Sequence, residues 1–466
     1  MGLMLYDTLR RRTVEFEPLE PGRVQIYTCG PTVHDFAHIG NLRTFLFEDL
    51  LRRVLKRRGY DVTQVMNLTD VDDKIIRKAG EAGVSITEYT DPYRQAFFED
   101  LATLRIDPAE EYPAATDHIE AMVGLIERLR ENGHTYTSED GSIYFRISTF
   151  PDYGKLSRVD LSGMRDGARV DSDEYDKESP KDFALWKAAK PDEESWDTRL
   201  GRGRPGWHIE CSAMSMAYLG ESFDIHTGGV DNVFPHHENE IAQSQAATGK
   251  PFVRYWIHAE HLIVDGQKMA KSLGNFHTLR DLLDREYRPR VIRYLLLSVH
   301  YRSQLNFTFA GLDQASAALE RLADFANRMQ RLPAGEAPND GLARRTRKAE
   351  AEFDSALDDD LNSSRALAAV FEWVRDVNRA LDAGKATTAD RDQLEAFLAS
   401  FDSIYDVLAL DAGEAEISAD IEALIAAREA ARQAGDYARA DAIREELAGR
   451  GVVVEDTAQG ARWKKV

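Results

Sequence analysis

Cysteine is nearly absent from this chain: Cys29 and Cys211 are the only two in 466 residues. A disulfide framework is thereby excluded as an organising device, and the pair is left for metal binding, catalysis or plain packing. Long apolar runs are missing as well. No stretch approaches the roughly 18 residues of a membrane span, so no membrane-spanning segment is expected. The opening Met-Gly-Leu-Met-Leu-Tyr-Asp-Thr has neither the basic region nor the apolar core of a signal peptide. Tyr6 also stands where a myristoylation motif carries Ser or Thr, and a cytoplasmic chain is expected. Internal repeats and long low-complexity runs are lacking too. Positive charge is in deficit, with 59 Lys and Arg against 80 Asp and Glu and a net charge of -21. Such a field repels phosphate and opposes non-specific binding to nucleic acid; it also suits a chain adapted to a salty cytoplasm. Basic residues still gather locally, at Arg52 to Arg58, at Arg344 to Lys348, and at Arg462, Lys464 and Lys465 around Trp463. Each group reads as a solvated helix face or as a contact for an anion.

What is present is the composition of a globular protein, 43% hydrophobic and 30% charged, long enough for two to four domains. Val24 to Thr28 reads as a buried strand, Cys29-Gly30-Pro31-Thr32 as a turn, Asn41 to Arg58 as a helix stopped at Gly59, and Asp61 to Asn67 as the next strand. That succession predicts an α/β fold with a parallel sheet. Helices are expected at Ile86 to Leu104 and at Thr116 to Asn132, the latter capped by its threonine and ended by Gly133. The texture then changes. An Asp140-Gly141 hairpin turn and an acidic stretch mark residues 134–200 as an insertion, after which strands resume at Ser222 to Thr227 and Ile257 to Val264. Beyond Tyr287 the pattern is helical, broken by a loop at Leu332 to Asp340 and a connector at Asp411 to Glu416. Further helices are expected at Ser418 to Gln433 and Asp436 to Ala448; Val452 to Val454 fits no class.

Three stretches carry chemistry. Pro235-His236-His237-Glu238-Asn239-Glu240 starts a helix on which His236 and Glu240, four residues apart, project from one face. With Cys29 and Cys211 they would make a zinc-type donor set, although such a pair also occurs as an ordinary solvated one and cysteines serve as buried hydrophobes. In Thr32-Val33-His34-Asp35-Phe36-Ala37-His38-Ile39-Gly40-Asn41, histidines and helix-start amides can meet phosphate, and Gly40 permits close approach of a nucleotide. Val264 to Asn275, with Lys268 and Lys271 beside glycines, could carry ammonium groups onto a departing pyrophosphate.

His38-Ile39-Gly40-Asn41 and Lys268-Met269-Ala270-Lys271-Ser272 resemble, in order and position, the two nucleotide motifs of class I aminoacyl-tRNA synthetases. Cys29 to Thr32, Asn67-Leu68-Thr69-Asp70-Val71-Asp72-Asp73-Lys74, Gly206-Trp207-His208-Ile209-Glu210-Cys211-Ser212 and Phe234 to Glu240 are similar to the cysteine-specific family within that class. The likeness continues through Asp358-Asp359-Asp360-Leu361-Asn362 and Asp436-Tyr437-Ala438-Arg439-Ala440-Asp441. Asn41 replaces the second histidine of the general motif, as cysteine-specific members commonly do, and Ala270 replaces a serine.

The resemblance implies a Rossmann-like catalytic domain in two halves (1–133 and 201–265) around a connective insertion (134–200). A helical stem-contact region (266–331), a helical tRNA-binding domain (332–410) and a small anticodon-binding domain (411–466) would follow. It implies activation of L-cysteine with ATP and transfer to tRNA(Cys), by a chain expected to be a monomer. It places Zn2+ on Cys29, Cys211, His236 and Glu240, where thiolate coordination would separate cysteine from serine. Thr69, Trp207 and His226 are implied in the amino-acid pocket, or in capping and core packing. His34, His38, Gly40, Asn41, Asp231, Lys268 and Lys271 are implied at ATP, which would arrive with Mg2+; Tyr437, Arg439, Arg444 and Arg462 to Lys465 are candidates for tRNA. A ligase using a small amine acceptor and a zinc-stabilised RNA-binding protein without catalysis stand as alternatives.

Overall fold

The computed structural model describes residues 2–159, 181–190, 193–408, 424–425, 427–428, 430–432, 434–450, 452–457 and 460–465. Two compact units divide the chain, Met1–Val407 and Leu408–Val466. The larger is built on four parallel strands in the order Val253–Ala259, Phe223–Gly229, Arg23–Thr28, Asp61–Met66. Val24, Ile26, Tyr27, Phe223, Ile225 and Ile257 are all buried, as strands covered on both faces require. From the Arg23 strand the chain runs through the helix Ile39–Arg57 to one side of the sheet; from the Phe223 strand it runs through the helix His236–Thr248 to the other. The carboxyl ends of those two central strands therefore form a topological switch point, where α/β sheets open a crevice for ligands.

The Ile39 helix starts earlier than its apolar pattern suggests because a histidine caps it. His38 Nδ1 accepts from the amides of Gly40 (3.1 Å) and Asn41 (3.2 Å), and Asn41 Oδ1 accepts from the His38 amide (3.2 Å). This reciprocal box satisfies helix-start donors that would otherwise need water. Thr116 is not the cap expected of it. Its amide and hydroxyl both go to Asp70, at 3.0 and 2.6 Å, and a short 3-10 turn, Ala115–His118, precedes the helix Ile119–Glu131. A tertiary acceptor has outcompeted the local one. Asp73–Ala82, capped by Asp72, is a helix that the small residues around Gly80 had hidden.

The insertion is a five-stranded antiparallel sheet ordered Thr135–Thr137, Ile143–Phe145, Phe183–Ala188, Gly201–Pro205, Trp196–Thr198. It continues as far as Pro205 and leads into the helix Trp207–Leu219. The single strand expected from Ile257 to Val264 is two. Val253–Ala259 belongs to the central sheet, whereas Leu262–Val264 joins Gln267–Lys268 and Leu305–Phe307 in a separate three-stranded sheet. The break falls at Glu260 and His261, where the Glu260 amide turns away to Tyr301 O (2.8 Å).

Helices Phe309–Gln330, Asp340–Asp358, Ser363–Asp382 and Arg391–Tyr405 complete this unit around Phe325, Phe353, Trp373, Phe397 and Phe401. In the smaller unit, Asp436 caps the helix Tyr437–Gly449, and Val452–Thr457 pairs antiparallel with Gly460–Lys465. The expected helix from Ser418 to Gln433 is helical at 424–425, 427–428 and 430–432; its remainder and the Asp411 to Glu416 connector lie outside the described residues.

Candidate active site

Thr28 ends the first central strand, and Cys29 follows directly at the switch point. Gly30 allows this turn to press on the next strand's exit, since a Cβ there would lie 1.8 Å from Asn67 O; Asn67 Oδ1 in turn accepts the Gly30 amide at 3.0 Å. Cys211 comes from the second turn of the Trp207 helix, and His236 and Glu240 come from one face of the His236 helix. One donor atom from each of Cys29, Cys211, His236 and Glu240 lies within 4.8 Å of all the others. Cys211, His236 and Glu240 are buried. The sequence set thus converges at one point, although a second grouping, Cys29, His226, His237 and Glu240, meets the same distance.

Their chemistry fits a soft divalent cation. Glu240 Oε1 is buried and without a hydrogen-bond donor, although His236 Nε2 stands 3.1 Å away. A buried carboxylate oxygen with no hydrogen bond, beside a neutral imidazole nitrogen, leaves an unmet demand for positive charge. Burial pushes His236 down to about 3 against the opposing pull of Glu240, so its ring is a neutral lone-pair donor. The hydrogen bond with Cys211, then burial, raise the Cys29 thiol well above its usual value. For Cys211 the hydrogen bond to Cys29 pulls down, burial pushes up, and the net shift is upward. A dication would reverse both thiol shifts, because coordinated thiols bind deprotonated.

Further histidines surround this centre. His226 Nε2 lies 3.0 Å from Glu240 Oε2, and His208 Nδ1 lies 2.9 Å from His236 Nδ1. His237 Nε2 is 3.2 Å from Cys29 Sγ, while its Nδ1 meets His258 Nε2 at 2.8 Å; His258 Nδ1 in turn meets Thr8 Oγ1 at 2.8 Å. His237 is therefore a direct neighbour of the donor set. His208 and His258 escaped the sequence reading. His208 carried a usable signal, since it sits three residues before Cys211 and so on the same helical face. His258 signals itself only as a polar residue in an otherwise apolar strand.

The two nucleotide-type motifs are also joined. Ile39 donates to His277 O (2.9 Å), His38 bridges to Thr278, and a Cβ on Gly40 would lie 3.3 Å from Met269 Cε. The His38 ring rests edge-on against Phe276 at 5.2 Å, and Lys271 Nζ lies 5.0 Å from the same Phe276 ring while pairing with Asp35. Because His38 Nδ1 accepts two amides, its proton resides on Nε2, and burial lowers its pKa. His34 Nδ1 is buried without a partner, and burial lowers His34 likewise. Asp231 is exposed on the 3-10 turn Val230–Val233, close enough to act on the His38 charge. Lys268 is exposed at the end of its short strand.

Comparison with known proteins places the chain. A model described as the class I tRNA synthetase (C) catalytic domain matches residues 15–317, a DALR domain matches 352–412, and a cysteinyl-tRNA ligase anticodon binding domain matches 414–463. The cysteine--tRNA ligase of Solibacter usitatus is 54% identical, and that of Koribacter versatilis 51% identical, each over 100% of both chains. The chain belongs to the cysteine–tRNA ligase family. A methionyl-tRNA synthetase from Mycobacterium tuberculosis, solved with methionyl-adenylate, shares the fold at a TM-score of 0.60 with 16% identity, covering 83% of this chain and 88% of its own.

Residues that the family likeness pointed to are spread differently from one another. Thr69 is buried, with its hydroxyl 3.2 Å from Asn67 Nδ2 and its carbonyl on the Val33 amide (3.0 Å), so it stitches the Asn67 turn to the Cys29 turn. Trp207 is no core residue: it is 38% exposed and stacks on the His236 ring at 4.5 Å. His226 is fully buried beneath Glu240, stacked on Trp256 at 4.8 Å. In the family's anticodon-binding segment Tyr437 is 64% exposed, and Arg439 and Arg444 lie on the same exposed helix. Arg462 to Lys465 fall in the Gly460 strand. Among the described residues no helix is long and apolar enough to cross a membrane.

Proposed function

We propose that the chain is a cysteine–tRNA ligase in which the L-cysteine carboxylate attacks the α-phosphate of ATP to give cysteinyl-adenylate with release of pyrophosphate, and the cysteinyl group then passes to the 3' end of tRNA(Cys) with release of AMP. The observation that carries this reading is the convergence of Cys29, Cys211, His236 and Glu240 at the switch point, in a chain aligned with the family from end to end. Those four residues would hold Zn2+. When bound, the ion supplies a soft Lewis acid that prefers a thiolate to the hydroxyl of serine, a distinction that shape alone makes poorly. Glu240 is the ligand best placed to yield room for substrate, because its second oxygen already has His226 at 3.0 Å.

The substrate carboxylate is itself the nucleophile, so the protein's share of the chemistry is positioning and charge stabilisation. His38 would present Nε2–H to the triphosphate, with His34 beside it, and the Gly40 and Asn41 end of the helix would receive the nucleotide. Lys268 and Lys271 would meet charge on the departing pyrophosphate, with Mg2+ arriving on ATP. Asp231 would lie near the nucleoside, and Thr69 and Trp207 would border the amino acid. Tyr437, Arg439 and Arg444, with the residue types Arg462, Trp463, Lys464 and Lys465, are the candidates for the cations and aromatic rings that splayed RNA bases require. One chain holds every one of these groups, and we assign it as a monomer. Exchange of labelled pyrophosphate into ATP should depend on cysteine, and purified tRNA(Cys) should become charged. Exchange equally fast with serine, or none with zinc-loaded protein, would refute the assignment.

A further inference from the structure

We propose that Arg43 is the positioning residue that fixes the Lys268 to Lys271 loop against the His38 end of the Ile39 helix. Arg43 lies on that helix, little more than a turn beyond His38, and is 2% exposed. It makes no ion pair among the described residues. Its guanidinium is spent entirely on main-chain carbonyls: Nη1 donates to Glu260 O (2.7 Å) and His261 O (3.0 Å), and Nη2 donates to His300 O (3.3 Å) and Ser303 O. The first pair lies immediately before the strand Leu262–Val264, and the second just before Leu305–Phe307. Those strands pair with each other, and Leu262–Val264 carries Gln267–Lys268 on its other edge. One side chain therefore grips both roots of the small sheet that bears the nucleotide lysines.

A buried cation with no direct ion pair is costly, and burial here lowers the Arg43 pKa to about 10 against the opposing pull of the Glu260 carboxylate. An apolar residue would fill the space without that cost but would leave four carbonyls without this donor. The planar fork, with its donors at fixed angles, spans two chain segments in a way that a lysine ammonium cannot. Ile39, His38 and Gly40 tie the helix tip to the loop's surroundings, and Phe47 stacks on Tyr301 at 4.4 Å further along. Arg43 adds the attachment that holds both strand roots at once, and a hold at tip and roots together fixes an orientation where the tip alone leaves a pivot.

This inference rests on the reading that Lys268 and Lys271 act on the triphosphate. It predicts that Arg43→Lys, which keeps the buried charge, slows cysteinyl-adenylate formation by about 10- to 100-fold, the penalty of a small misplacement. Zinc content, KM for cysteine and the rate of transfer from preformed adenylate to tRNA should stay within about twofold, since none of these uses the loop lysines. Arg43→Gln should follow in the same direction with a larger loss. In a Lys271→Ala background, Arg43→Lys should cost much less than it does alone, because a lysine that is gone cannot be misplaced. Equal losses in adenylate formation and transfer, or full additivity with Lys271→Ala, would overturn the proposal. Unimpaired adenylate formation in Lys271→Ala alone would instead overturn the role given to the loop, and Arg43's with it.

Discussion

The donor cluster around Glu240 and the Val264 to Asn275 loop lie by residues that follow the same central strand, Arg23–Thr28, and are built in opposite ways. His226, His237 and Glu240 are 0% exposed, Cys211 1% and His236 2%. Each is fixed by a neighbouring ring or thiol and by a helix or strand behind it. Lys271, by contrast, has a side chain 63% exposed, held among the described residues by Asp35 and the Phe276 ring. A surface pair of that kind is worth about 1 kcal/mol or less and is readily exchanged for a better anion. The difference suits the tasks proposed for the two regions. Choosing a thiol over a hydroxyl would need donors that do not move, whereas stabilising a triphosphate that enters and leaves as pyrophosphate would need charge that can let go.

The sharpest way to break this contrast is to remove one residue from each side. His236→Ala should abolish zinc retention and cysteine activation together, a loss beyond about 1,000-fold, while leaving the fold intact as judged by circular dichroism. Lys271→Ala should keep zinc and KM for cysteine and lose about 100- to 1,000-fold in the rate of adenylate formation. If both variants lost zinc, or if Lys271→Ala raised KM for cysteine with unchanged kcat, the division between selection and catalysis would fail.

The same contrast explains what the chain's letters disclosed. The central strands were legible because burial on both faces favours apolar-rich stretches such as Val24 to Thr28, interrupted only by Gln25, and the His236 helix because Pro235 and the four-residue spacing are local signals. The convergence of Cys29 and Cys211 was carried by family likeness; no local rule joins residues so far apart. Where the reading failed, a tertiary partner had displaced a local one. Thr116's hydroxyl went to Asp70, and the run from Ile257 to Val264 broke at Glu260-His261, two successive polar residues whose carbonyls Arg43 holds while the Glu260 amide turns to Tyr301. Arg43 itself reads as one more helix residue, because nothing in its neighbours announces four acceptors from two distant segments.

Burial of neutral histidines makes the donor cluster sensitive to acid in a way the exposed loop is not. Burial holds His258 at about 3 in the folded chain. Unfolded, it would titrate near its ordinary value of about 6.5. Between those limits the unfolded state binds the extra proton, so its contribution to stability is complete above about pH 6.5 and is lost as pH falls toward 3. Urea unfolding of metal-stripped protein should show this decline. His258→Gln, which removes the titrating ring, should flatten it by at most about 1.4 kcal/mol per pH unit. Identical slopes for the two proteins would mean that His258 is not held neutral. Lys271→Ala should leave the slope unchanged.

The smallest effect expected lies within the loop itself, at its departure from the family's usual serine. The Ala270 amide donates to Asn275 Oδ1 (2.8 Å), and Asn275 Nδ2 donates to Lys268 O (3.2 Å), so one asparagine side chain closes the loop through main-chain groups on either side of Met269. Leu273 and Gly274 add amide bonds to Ala270 O and Lys271 O, both at 3.1 Å. With the backbone at 270 held by these bonds, a hydroxyl on its side chain has little left to fix. Asn275→Ala, which removes both side-chain bonds, should lower the rate of adenylate formation by about fivefold, near the ~1 kcal/mol of an ordinary hydrogen bond. Ala270→Ser should stay within about twofold, as for most surface changes. The reverse order would place the loop's conformation in the side chain at 270 rather than in Asn275, and would make the alanine a departure with a kinetic cost.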